Sequence, residues 1–178
     1  DKIMRTHFIG LINLTKVLAK KKIKNFIQIG SSVEYGKNKS PQNEKQLCLP
    51  TSPYGLAKLA STEFLITLYN IQKFPATILR LFQVYGPNQD SNRILPQIIQ
   101  GCLNNKKFPV SKGEQIRDFC YVDDVIDLIF LVLASKKGQG EVFNIGSGKP
   151  QKIKNIIEQI QKITKGGYPQ YGKIKFKK

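Results

Sequence analysis

The sequence predicts an α/β fold in which a parallel sheet is flanked by helices. Apolar, strand-like runs occur at 25–30, 75–81 and 141–145. The segments between them carry apolar residues at spacings of three and four, which is typical of amphipathic helices. Strands that alternate with helices in this way predict parallel strands joined by crossover helices. A chain of 178 residues with 40% hydrophobic residues is long enough to bury one core,.

The first half of the chain is predicted to contain two helices and two strands. A helical stripe at the N-terminus is formed by Met4, Phe8, Leu11, Thr15 and Leu18,. A strand at 25–30 follows, and then a polar loop. The next helix is predicted over 54–72, with Thr51 or Ser52 as its N-cap and Pro53 in its first turn. The second parallel strand occupies 75–81, and Tyr85 to Asn88 signal a turn.

The second half is predicted to contain three helices and short strands. A helix over 92–104 should bury Ile94, Leu95, Ile98, Ile99 and Leu103. Short strands are expected at 108–110 and 116–121. Asp123 and Asp124 then open a helix, where carboxylates suit the helix dipole, and its predicted buried stripe is Val122, Val125, Ile126, Ile129 and Leu133. After the strand at 141–145, a helix beginning at Pro150 should bury Ile153, Ile156, Ile157, Ile160 and Ile163.

Composition argues against several classes of function. The net charge of +17 would favour polyanions or phosphate-bearing ligands,, but a solvated surface rich in lysine is the better account of it. The lysines are scattered apart from 20–22 and 173–178 and are not interleaved with aromatic residues, so nucleic-acid binding ranks last among the functions considered. The three cysteines have no metal or disulfide spacing and, like the single His7, predict no metal site,. No run is long and apolar enough to span a bilayer, and a cytoplasmic location is expected.

Two residues of the predicted helix at 54–72 have a spacing suited to acid–base chemistry. Tyr54 and Lys58 are four residues apart in Ser52-Pro53-Tyr54-Gly55-Leu56-Ala57-Lys58, so both side chains project from one face,. A phenol has a pKa of about 10. A neighbouring ammonium favours the phenolate and lowers that pKa, which makes the phenol a proton donor and acceptor near neutral pH. Taken alone, the same spacing is also common on solvated helix faces.

A hydroxyl follows the first predicted strand. Ser31 stands where 25–30 meets the loop, at the strand end where open α/β sheets bind ligands,. Ser31, Tyr54 and Lys58 resemble the Ser-Tyr-Lys set of the extended short-chain dehydrogenase/reductase superfamily, the NAD(P)-dependent nucleotide-sugar epimerases, dehydratases and reductases. Further stretches match in the family's order along the chain, namely 79–87, 115–124 and 142–148.

The resemblance implies a Rossmann-like sheet that is incomplete at its N-terminus. The family's Gly-rich turn, which grips the cofactor pyrophosphate, has no counterpart here, so a fragment that is inactive alone is expected. Residues 1–91 would be the later part of the dinucleotide-binding domain. Residues 92–178 would form a mixed substrate-binding portion, with 122–146 returning to the sheet. The implied cofactor is NAD or NADP, the implied substrate is a nucleotide-diphosphate sugar, and the full-length form is expected to be a homodimer.

The resemblance also assigns roles to the catalytic set. Tyr54 would be the general acid/base at a sugar hydroxyl, and Lys58 would lower its pKa and bind the nicotinamide ribose. Ser31 would hydrogen-bond the same sugar oxygen. Tyr54 and Lys58, together with Leu81, are the expected cofactor contacts.

The residues after Ser31 discriminate between reactions. Similar dehydratases carry Thr-Asp-Glu, and their two carboxylates act on the leaving hydroxyl. Here the run is Ser31-Ser32-Val33, and Glu34 lies one position too late, on the opposite side of an extended backbone,. A 4-epimerase or 4-keto-sugar reductase acting at C4 is therefore expected. The alternatives are a nucleotide-sugar 4,6-dehydratase and a non-catalytic relative that senses a dinucleotide.

Residues that would bind the substrate carry over from the family by position. Arg117 would pair with substrate phosphate, for which the planar guanidinium is suited; a surface ion pair with Asp118 is the alternative. Phe108 and Val110 would line the nucleotide base, or else belong to the core. The complete predicted substrate set is Ser32, Val33, Gln83, Asn92, Arg93, Phe108, Val110 and Arg117.

Overall fold

A three-stranded parallel sheet forms the first part of the structure, a computed structural model that describes residues 2–174. Strands β1 (Phe26–Ser31), β2 (Ala76–Leu81) and β7 (Val142–Ile145) lie in the order β1-β2-β7 and are parallel throughout. The register places Ser31 beside Leu81, and Leu81 beside Ile145. The carboxyl ends of all three strands therefore meet at one edge, and the predicted α/β class is confirmed.

Helices in this first compact unit, which comprises the chain up to Phe82 together with Asp124–Ile145, provide much of the core. The N-terminal segment consists of α1 (Lys2–Met4), a π-helical turn (Arg5–Ile9) and α2 (Gly10–Leu18). Helix α3 (Pro53–Gln72) follows the polar loop. The core combines residues of α2, α3 and β2 with Phe74, namely Leu11, Leu65, Phe74, Ala76 and Ile78.

The second compact unit comprises Gln83–Asp123 and the described residues from Gly146 onward. Three two-stranded pairs occur in it. They are β3 (Gln83–Tyr85) with β6 (Phe119–Tyr121) and β4 (Lys107–Pro109) with β9 (Tyr168–Gln170), both parallel, and β5 (Ile116–Arg117) with β8 (Gln151–Lys152), antiparallel.

Two helices build the core of this second unit. Helix α4 (Ile94–Leu103) and helix α6 (Ile153–Thr164) contribute to a cluster of Ile98, Cys102, Phe108, Val110, Ile153 and Ile157. Between these helices in the chain, α5 (Val122–Leu133) leads back to the first unit. The predicted division of labour between a cofactor-binding part and a substrate-binding part stays a prediction.

Several local predictions are wrong in their details. Helix α6 begins at Ile153 and not at Pro150, because residues 151–152 first pair as β8. The strand predicted over 116–121 is interrupted at Asp118, where β5 and β6 join different partners. In α4 the buried residues are Leu95, Ile98 and Cys102, whereas Ile94, Ile99 and Leu103, which were also expected in the core, are exposed.

The predicted stripe of α5 is largely outside the core. Val125 is buried, whereas Ile126 and Leu133 are exposed. Ile163, at the end of the predicted stripe of α6, is 81% exposed.

Two absences hold for the residues that the structure describes. Within 2–174, no helix has the length and apolar character needed to cross a membrane. The same residues contain no group of three or more potential metal ligands. Part of the Lys-rich tail, 175–178, lies outside the described residues. The expected homodimer and cytoplasmic location stay predictions.

Candidate active site

Ser31 is the last residue of β1 and the cap of a 3-10 turn over Ser32–Tyr35. Its side-chain oxygen accepts a hydrogen bond from the Val33 backbone N–H at 3.3 Å. In return, the Ser31 backbone N–H donates to Glu34 Oε1 at 2.8 Å. This reciprocal capping box satisfies two donors that the turn would otherwise leave unpaired. Ser31 is therefore held at the carboxyl edge of the sheet.

Tyr54 lies in the first turn of α3, and the start of that helix is fixed by the sequence. Of the two predicted caps, Ser52 is the one used, since its Oγ accepts from the Gly55 N–H at 3.1 Å. Pro53 occupies the first helical position,. Gly55 is buried, and a Cβ there would lie 2.9 Å from the Val33 carbonyl oxygen. The turn that carries Tyr54 thus approaches the turn that follows Ser31 more closely than a side chain at position 55 would permit.

Lys58 is buried one helical turn after Tyr54. Its ammonium donates to the Ile29 carbonyl on β1 at 2.9 Å and lies 5.7 Å from the centroid of the Tyr54 ring. Burial lowers the pKa of Lys58, and the negative charge of Glu34 partly opposes that shift. The structure therefore brings Tyr54 and Lys58 together on α3, beside the end of the strand that carries Ser31.

His7 is a neighbour of this set that sequence reasoning missed. Its ring meets the Tyr54 ring edge-on, with centroids 5.2 Å apart. Burial, and to a smaller extent the charge of Lys58, lower the pKa of His7. The only signal in the sequence is that His7 is the sole histidine, because the π-helical turn that contains it changes the spacing expected of an α-helix,.

Glu34 is the second residue whose role was missed. Its expected orientation assumed an extended backbone, but residues 32–35 form a 3-10 turn, and Glu34 is fully buried. The carboxylate forms an ion pair with Arg80 Nε at 2.8 Å. The sequence signal is that Glu34 and Arg80 carry opposite charges. Their contact cannot be predicted without knowing that β1 pairs with β2.

The remaining predicted residues of the first unit lie on the same sheet edge or on the turn beside it. Leu81 ends β2 in register with Ser31. Ser32 and Val33 belong to the 3-10 turn, and Val33 is exposed. Neither side chain is a carboxylate.

The predicted substrate residues of the second unit surround one cavity of about 1110 Å³. They are Gln83, Asn92, Arg93, Phe108, Val110 and Arg117. Phe108 and Val110 are also core residues, and their contact with a nucleotide base stays a prediction. Arg93 precedes α4 and caps it without a side-chain hydrogen bond. Asp118, the alternative partner proposed for Arg117, accepts hydrogen bonds from the Ser147 and Gly148 backbone N–H groups.

Comparison with known proteins identifies consistent relatives. Residues 1–146 match the NAD dependent epimerase/dehydratase family. The chain is 29% identical over 177 residues to dTDP-D-glucose 4,6-dehydratase of Dictyostelium discoideum, covering 92% of this chain and 40% of that protein.

Solved structures agree with this match. A UDP-N-acetylglucosamine 4-epimerase from Methanobrevibacter ruminantium M1, in complex with UDP-N-acetylmuramic acid, superposes with a TM-score of 0.88 at 28% identity, over 94% of this chain and 55% of that one. A UDP-glucuronic acid 4-epimerase from Bacillus cereus, in complex with UDP-glucuronic acid and NAD, gives a TM-score of 0.85 at 32% identity, over 94% and 54%. The chain spans about half the length of these structures and less of the curated relative.

Proposed function

The chain belongs to the NAD dependent epimerase/dehydratase family, and from this premise we propose that it supplies the catalytic residues of an NAD(P)-dependent nucleotide-sugar epimerase or 4-keto-sugar reductase that acts at C4. The observation that supports the proposal most directly is the arrangement of Tyr54, Lys58 and the end of β1. An exposed phenol, a buried ammonium below its ring and a hydroxyl at the sheet edge are the groups needed to move a proton at a sugar oxygen while hydride moves at its carbon.

The side chains on this edge fit a nicotinamide cofactor. Lys58 directs one of its three N–H donors to the Ile29 carbonyl,, and the others suit ribose hydroxyls. Leu81 offers an apolar surface in register with Ser31. NAD or NADP, when bound, supplies the site that accepts or donates hydride.

The chain's own residues handle the proton. Tyr54 Oη would take the proton from the sugar O4, or return it, as the C4–O4 bond changes between alcohol and ketone. The Ser31 hydroxyl would donate a hydrogen bond to the same oxygen and hold it in place. Lys58 would stabilise the phenolate through its positive charge.

The absence of a suitable carboxylate argues against loss of water. Ser32 and Val33 occupy the positions where acid/base carboxylates would be expected. The next residue in the sequence that carries a carboxylate, Glu34, is fully buried and paired with Arg80. A 4,6-dehydratase is the second candidate, because the relatives that the chain resembles include an enzyme of that name.

Substitution of Tyr54 tests the assignment. In the longest natural polypeptide that contains this chain, Tyr54→Phe should reduce kcat by about 10²- to 10⁴-fold, the usual contribution of general acid–base catalysis. Tyr69→Phe is a matched control, since Tyr69 lies on the same helix with Lys73 Nζ 5.0 Å from its ring centroid. Equal effects of the two substitutions would contradict the proposal.

The products distinguish the reactions. With NADPH and a nucleotide-linked 4-keto-6-deoxyhexose, stoichiometric oxidation of the cofactor identifies a reductase. Interconversion of C4 epimers of a nucleotide hexose without net oxidation identifies an epimerase. Loss of water from the hexose would overturn the choice made here.

A further inference from the structure

We propose that Glu34 is a positioning residue, whose buried carboxylate ties the backbone of Ser31 to the helix that carries Tyr54 and Lys58. The inference rests on the function proposed above and extends it to a residue with no contact to substrate. Glu34 acts on the catalytic set through its hydrogen bond to the Ser31 backbone N–H and not through the reacting atoms.

The carboxylate joins three elements of the first unit. Its Oε1 accepts from the Ser31 N–H at 2.8 Å, at the end of β1. Its Oε2 accepts from Thr62 Oγ1 at 2.9 Å, on α3, and from Arg80 Nε at 2.8 Å, on β2. Thr62 follows Lys58 by four residues, as Lys58 follows Tyr54, so all three lie on one face of α3,.

The environment of the carboxylate leaves it little freedom. Glu34 is 0% exposed and Arg80 is 2% exposed. The Arg80 guanidinium carbon lies 4.8 Å from the Tyr35 ring centroid, and the Tyr35 hydroxyl donates to Asn144 Oδ1 at 2.7 Å. A buried ion pair fixed by further hydrogen bonds has one geometry, since any rotation leaves a charge without its partner.

The residue before Ser31 makes room for this arrangement. A Cβ at Gly30 would lie 2.8 Å from Glu34 Oε1 and 3.2 Å from Arg80 Cγ. Glycine at this position therefore lets the carboxylate sit directly against the strand end that carries Ser31. Since a buried ion pair often adds little net stability compared with apolar residues, positioning is a better account of this placement.

The test removes the hydrogen bonds and the ion pair of Glu34 while keeping the fold. Because a buried ion pair can be replaced by apolar side chains at little cost, the double variant Glu34→Leu/Arg80→Leu should fold with a melting temperature close to that of the original. Hydrogen exchange of the Ser31 amide, measured by NMR without substrate, should become at least ~10-fold faster. In the longest natural polypeptide, kcat should fall roughly 10- to 100-fold, as expected for misplaced catalytic groups, and KM should change by less than about 3-fold.

Further variants refine the result. Glu34→Gln keeps an acceptor for the Ser31 N–H and should therefore recover part of the lost kcat. Thr62→Val removes only the link to α3 with little change of shape and should lower kcat several-fold. Thr77→Val is the matched control, because Thr77 is a buried threonine of the same unit whose hydroxyl donates to the Gly138 carbonyl at 2.9 Å and not to Glu34.

The outcomes separate this inference from the proposed function. A folded double variant with unchanged kcat, or with a protected Ser31 amide, overturns the positioning role. If the double variant does not fold, unchanged kcat in Thr62→Val overturns it instead. If hydrogen exchange of the Ser31 amide becomes faster in the double variant but Tyr54→Phe retains normal kcat, the link made by Glu34 is supported and the proposed function is refuted.

Discussion

Replacing Gly55 with alanine tests how closely the two catalytic turns must approach. A Cβ at Gly55 would lie 2.9 Å from the Val33 carbonyl oxygen, whereas ordinary contacts begin at 3.4 Å. Because that oxygen belongs to backbone, either the first turn of α3 or the 3-10 turn must move by about 0.5 Å. A displacement of 1 Å can cost about 100-fold in rate, so half that displacement predicts a fall in kcat of roughly 10-fold.

Gly10→Ala is the control for this variant. A Cβ at Gly10 would meet only the Arg5 carbonyl oxygen at 3.5 Å, an ordinary contact within the N-terminal helical segment. The alanine should leave kcat unchanged and stabilise the helix by about 0.5–1 kcal/mol. Steady-state kinetics and urea denaturation of both variants provide the comparison. Wild-type kcat in a folded Gly55→Ala protein would show that the close approach is irrelevant to the reaction.

Three further predictions concern stability. Ile157→Ala should cost about 2–5 kcal/mol in urea denaturation because Ile157 is fully buried,, whereas Ile163→Ala on the same helix should cost little; equal losses would contradict the core described here. Arg80→Leu alone should cost about 3–5 kcal/mol, and Glu34→Leu added to it should restore most of that free energy; additive losses would refute a coupled pair. Burial lowers the pKa of His7 from 6.5, so the unfolded chain binds this proton more tightly than the folded one. The free energy of unfolding should therefore fall as the pH decreases below 6.5. His7→Gln should flatten that dependence, and identical pH profiles for the variant and the original protein would disprove it.

The central elements could be predicted because their signals are local. The strand at 26–31, the helix at 53–72 and the strand at 76–81 each combine a clear period with caps or turn residues, and no observed bound differs from the predicted one by more than one residue. Tyr54 and Lys58 lie on one helix, so their proximity follows from spacing alone. Ser31 can be assigned to the carboxyl edge of the sheet from the direction of its strand alone.

The missed features depend on contacts between distant parts of the chain. Glu34 meets Arg80 only because β1 pairs with β2 and the following turn is 3-10 helical. Helix α5 is so apolar in sequence that the spacing of its apolar residues does not identify the ones that are buried. Residues 151–152 join a strand because of Ile116 and Arg117, which are far away in sequence.

The π-helical turn at Arg5–Ile9 limits how the N-terminal segment can change in length. Such a turn holds one residue more than an α-helical turn, and the Ser61 hydroxyl donates to the His7 carbonyl within it at 2.9 Å. Loss of a single residue, such as Thr6, would let the segment relax into a regular α-helix while the helical residues on either side keep their orientation, because the turn already contains the extra residue,. A one-codon deletion here should therefore leave both Lys2–Met4 and Gly10 onward in place, whereas the same deletion in a regular α-helix would rotate the preceding residues by about 100°.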